Sequence, residues 1–226
     1  MPRRRQFLCV VASNVGGGLI FTLGGRAVHL AAQTNQSGNN LLRIRLRFFN
    51  QRQASVVAAA AARIFPSDAA GPGATEANVV IYIDRQLAGA YGRDRFRYTH
   101  PPFQTGLPEQ GYQGKDTPRK SYIDGIRSLG EDFAALPPDA QDAKLKQIER
   151  TRFFQLLRRH VIEGMFCDPM HGGNADLIGW QLVGFPGPYM SWANDFDKHD
   201  GAPFRPQPMS LAQIVGHPVT PWDGES

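Results

Sequence analysis

TPRKSYIDGIRSLGEDFAAL, residues 117–136, decides the fold class. Tyr122, Ile126, Leu129, Phe133 and Leu136 recur at alternating steps of four and three, the spacing that lines one face of an α-helix. Thr117 before Pro118 marks the start, because proline's fixed φ suits the first helical position, and Pro137-Pro138 marks the stop. The flanking segments keep the same period. Asn50 is placed to cap QRQASVVAAAAARIF, which runs to Pro66. Thr75 is placed to cap a helix ending at Gly92, with Val80, Ile83, Leu87 and Tyr91 on one face. A short helix follows Asp139, and ERTRFFQLLRRHVIEGMF, residues 149–166, puts Phe153, Leu156, Leu157 and Ile162 on or beside a buried face.

The connections are long. QTNQSGNN, residues 33–40, reads as a polar linker, and LLRIRLRFF after it as a short strand or an extended lead-in. Residues 92–116 hold Pro101, Pro102 and Pro108 around Tyr98, Phe103 and Tyr112, a length that marks a functional or partner-bound loop. From Cys167 onward Gly, Pro and aromatics dominate and no period persists. The expected fold is mainly α: a single helical domain with long Gly/Pro/aromatic loops over residues 48–192. An N-terminal signal segment (1–33) and a linker (34–47) precede it, and an irregular C-terminal extension (193–226) follows.

Composition bounds the function. With 226 residues, 42% hydrophobic and 20% charged, the chain fits one globular domain and not a disordered tail or a multi-span membrane protein. The net charge of +5 suggests a nucleic-acid partner until it is located. Arg3, Arg4, Arg5 and Arg26 lie in the first 33 residues with no Asp or Glu, leaving 21 basic and 20 acidic residues elsewhere. That near-neutral remainder gives no footprint for nucleic acid.

Three arginines followed by a weakly apolar run to Leu23 have the layout of an export signal. Ser13, Asn14 and Gly16 to Gly18 interrupt the run, making it a poor membrane span. Arg4, Arg5, Phe7 and Leu8 resemble the twin-arginine consensus, and the bland readings, a Sec signal or a buried N-terminal helix, do not account for the paired Arg with Phe-Leu. Cleavage after Ala27 or near Ala31-Ala32 stays open. Outside this segment Cys167 is the one remaining cysteine, which in an oxidising compartment is either buried as a small apolar residue or paired with another chain.

The densest chemistry lies in residues 160–189. His160 and Glu163 share a helical face ahead of Asp168, His171 and Asp176, so a metal is conceivable, but no other helix supplies a second such pair for a di-iron site. Gly172-Gly173-Asn174 lacks the spacing and the strand-to-helix context of a phosphate loop. Neither a Gly-x-Ser-x-Gly elbow nor a cysteine-hydrolase signature is present. Trp180, Phe185, Tyr189 and Trp192 are left as aromatic anchors for an interface or for the chain's own packing.

Over residues 48–192 the chain resembles the gluconate 2-dehydrogenase subunit 3 family. The likeness rests on Ala62-Arg63-Ile64-Phe65-Pro66, on Tyr82-Ile83-Asp84-Arg85-Gln86-Leu87, and on His160-x-x-Glu163-Gly164-x-Phe166 running into Asp168-Pro169-x-x-Gly172-Gly173-Asn174. Gly179-Trp180 and Gly184-Phe185-Pro186-Gly187 complete it, whereas His171 stands where the family often has Tyr. The resemblance implies a non-catalytic small subunit, binding no cofactor itself, of a periplasmic, membrane-associated dehydrogenase for sugars or sugar acids. The catalytic partner would be an FAD-dependent flavoprotein of the glucose-methanol-choline type, folded and exported through the twin-arginine translocase with this chain's help. A multihaem cytochrome c would be a third subunit. Cys167, Asp168, Asn174, Trp180 and Phe185 are the expected interface residues. The rival readings are a stand-alone exported binding module and a periplasmic enzyme with a metal at His160 and Glu163.

Overall fold

The computed structural model describes residues 19–23, 26–30, 45–188 and 207–219. The chain divides into two compact units, Met1–Ile44 and Arg45–Ser226. In the first, β1 (Leu19–Leu23) and β2 (Arg26–Leu30) pair antiparallel, with Leu19 opposite Leu30 and Leu23 opposite Arg26. They occupy the end of the segment read as an export signal; Arg4, Arg5, Phe7 and Leu8 lie outside the described residues.

The second unit is helical. α1 (Gln51–Ile64) opens with a reciprocal cap, the Gln53 amide donating to the Asn50 side chain and the Asn50 amide to the Gln53 side chain. Its buried face is built of Ala54, Val56, Val57, Ala60 and Ala61, small side chains that let neighbouring helices approach. Residues 45–50 form no strand. A buried carboxylate on the next helix holds them as a lead-in: Asp84 accepts from the backbone amides of Arg47, Phe48 and Phe49 at 2.7, 3.0 and 2.8 Å. Asp84 is tolerated in the interior because these three donors replace its hydration.

α2 (Val79–Ala88) starts later than Thr75 predicts. Residues 74–78 form a turn, and Asn78 adopts a left-handed φ of 55° that breaks helical continuity immediately before Val79. Val80, Ile83 and Leu87 are buried as their spacing requires, while Tyr91 lies beyond the helix and is partly exposed. α3 (Pro118–Leu129) has Thr117 capping the Lys120 amide and buries Tyr122, Ile126 and Leu129. It does not continue to Leu136. Gly130, at φ 91°, ends it, and Phe133 reaches the core through a separate 3-10 turn, Phe133–Ala135. Arg119 ties these parts together, donating to the Leu87 and Ala88 carbonyls at 2.6 Å each, where α2 leaves orphan acceptors, and stacking over Phe48.

Pro138 opens α4 (Pro138–Gln147), held by a Gln141 bond to the Phe133 carbonyl and by Arg63 of α1 gripping both oxygens of Asp142. α5 (Arg152–Phe166) is the hub, packing on α1, α2 and α3. Ile162 is exposed, not buried; the inward arc runs instead through Phe153, Leu157, His160, Val161 and Gly164. Where α3 crosses α5 the helices approach so closely that a Cβ on Gly125 would sit 2.0 Å from the Phe153 ring. Turns lead to α6 (Ile178–Val183). The extension expected to be irregular contains a capped helix, α7 (Leu211–Val215).

Asp84→Ala should lower the unfolding free energy by about 3 kcal/mol, since it strands three amides, and Asp84→Asn by clearly less, because an amide oxygen still accepts. Urea denaturation of the purified chain measures both.

Candidate functional site

His160, buried in the middle of α5, has a hydroxyl on each ring nitrogen: Tyr91 at Nε2 and Tyr122 at Nδ1, both at 2.8 Å. The fully buried Tyr122 ring also stacks on the imidazole and meets Phe153 edge-on. Tyr122 must place its hydrogen somewhere inside the fold, so it donates to Nδ1; the ring then carries its own proton on Nε2 and donates to Tyr91, which is the more exposed of the two tyrosines. The arrangement suits neutral imidazole. Burial, with a smaller push from Arg159, pulls the His160 pKa down to about 4.

One turn further on, Glu163 accepts from the Tyr82 hydroxyl at 2.9 Å. Burial first, then the Glu163 charge, pushes the Tyr82 hydroxyl pKa far up, so it stays a donor. The C-terminal carbonyls of α5 are then satisfied by the loop that follows. The Asn174 amide donates to Gly164 O at 2.8 Å, its side-chain Nδ2 to Cys167 O at 2.8 Å, and Trp180 Nε1 to Phe166 O at 2.7 Å. Asn174 Oδ1 accepts the Gly179 amide in return. The glycines permit this contact: a Cβ on Gly173 would lie 2.2 Å from Gly164 O, and one on Gly179 1.9 Å from Met165 O. The Gly-Gly-Asn stretch is therefore a helix-end seal.

Among the five residues expected at an interface, two lie inside the chain's own packing. Asn174 is wholly buried and Trp180 is 4% exposed, so both side chains are spent inside the chain's own packing. Asp168 caps the Met170 amide with one oxygen and holds the Leu211 amide, at the start of α7, with the other. Phe185, 43% exposed and edge-on to Trp180, faces outward. Cys167 is half-buried; its thiol lies against Gly164 O, and burial pushes its pKa up to about 11, making it a weak nucleophile.

Above this seal lies a groove of about 370 Å³, lined by Tyr82, Glu163, Cys167 and His171 with Ile162 and Phe166. A second, of about 550 Å³, continues along the outer face of α5 past Phe154 and Arg158. The first groove is largely apolar with a carboxylate and a thiol in it, whereas the second is lined mostly by charged and polar side chains, among them Glu149, Gln155, Arg158 and Arg159. With both His160 nitrogens engaged and Glu163 bonded to Tyr82, the pair singled out for a metal is occupied, and among the described residues no group of three His, Cys, Asp or Glu side chains is placed to hold an ion. Sequence reasoning missed Tyr91 and Tyr122 as partners of His160. The signal was there, since a tyrosine on a core-facing helical stripe needs a partner for its hydroxyl.

Compared with models of known protein families, residues 51–187 match the one described as Gluconate 2-dehydrogenase subunit 3. No curated protein and no solved structure matches the chain.

The lowered His160 pKa predicts an acid-sensitive fold. Its folded value near 4 lies below the ordinary 6.5, so between them the unfolded chain binds the extra proton. The histidine's contribution is then complete above about pH 6.5 and is lost as the pH falls toward 4, a change on the order of 3 kcal/mol. Denaturation curves from pH 7 to 4 should show this slope in the wild type and a flatter one in His160→Gln.

Proposed function

The chain belongs to the gluconate 2-dehydrogenase subunit 3 family, and from that membership we propose that it is the non-catalytic small subunit of a periplasmic, membrane-associated, FAD-dependent dehydrogenase of sugars or sugar acids. The flavin belongs to a partner of the glucose-methanol-choline type. A multihaem cytochrome c, as third subunit, takes the electrons onward. The small subunit aids folding of the flavoprotein and carries it through the twin-arginine translocase on its own signal, Arg4-Arg5-Gln6-Phe7-Leu8. The observation that carries this reading is the family match across residues 51–187, which takes in the whole helical body from α1 to α6.

The side-chain chemistry supports an accessory role. His160, Glu163, Asp168 and Asn174 hold the fold's own groups, and what faces outward beside them is the apolar groove with Cys167 and Phe185. Among the described residues no helix is long and apolar enough to cross a membrane. Cys167, which lines the groove, is either a small apolar packing residue or the position for a disulfide to the flavoprotein.

Replacing Arg4 and Arg5 together by Lys should strand the flavoprotein in the cytoplasm and cut periplasmic dye-linked dehydrogenase activity at least tenfold; flavoprotein exported at the normal level would contradict the carrier role. Cys167→Ser should abolish a larger band on non-reducing gels, and a wild type running only as monomer removes the disulfide from the account.

A further inference from the structure

We draw no further inference here: the strongest candidate, the exposed apolar patch of Val183, Phe185 and Met209 where the strand of chain entering α7 bonds back to Pro186 beyond the end of α6, is an unpartnered face, and nothing in the structure shows what covers it.

Discussion

One buried imidazole sets the arrangement of the helical unit. His160 points inward from the middle of α5, and a polar ring there is tolerable only with both nitrogens paired. The partners come from two other places in the chain, Tyr122 on α3 and Tyr91 just past α2, so satisfying one residue fixes α3 and the exit of α2 against α5. That exit is where the aromatic loop begins. The same economy operates at the end of α5, where Asn174 and Trp180 close the last carbonyls and thereby place the half-buried Cys167 and the groove above it.

How much of this was legible in the sequence depended on how local the cause was. Asn50 and Thr117 were readable as caps because a cap needs only the next three residues. The Tyr122, Ile126 and Leu129 stripe was readable because its period is its own evidence. Helix ends set by backbone conformation were not: Asn78 and Gly130 interrupt apolar periods that continue on either side of them, so the period overran in both places. The role of Asp84 was not readable from its motif, since its three amide donors lie about 35 residues upstream.

The motif that carries the family likeness has a physical content that its letters did not disclose. His-x-x-Glu-Gly-x-Phe and the Gly-Gly-Asn that follows resemble a site, and an interface reading naturally picked Asn174 and Trp180 from it. In the fold those residues are the seal on a helix end, and the glycines are there because Gly164, Met165 and the loop come within contact distance of each other. Chemistry concentrated in sequence is here turned inward, onto the chain's own backbone and hydroxyl groups.

The central claim is that this chain works as one part of a flavin dehydrogenase. The most direct measurement is the absorbance spectrum of the chain isolated from native membranes through a C-terminal tag, with the subunit masses in the same sample. The account predicts a flavin spectrum and a larger flavoprotein in fixed ratio to this chain. A well-expressed, colourless monomer would contradict it.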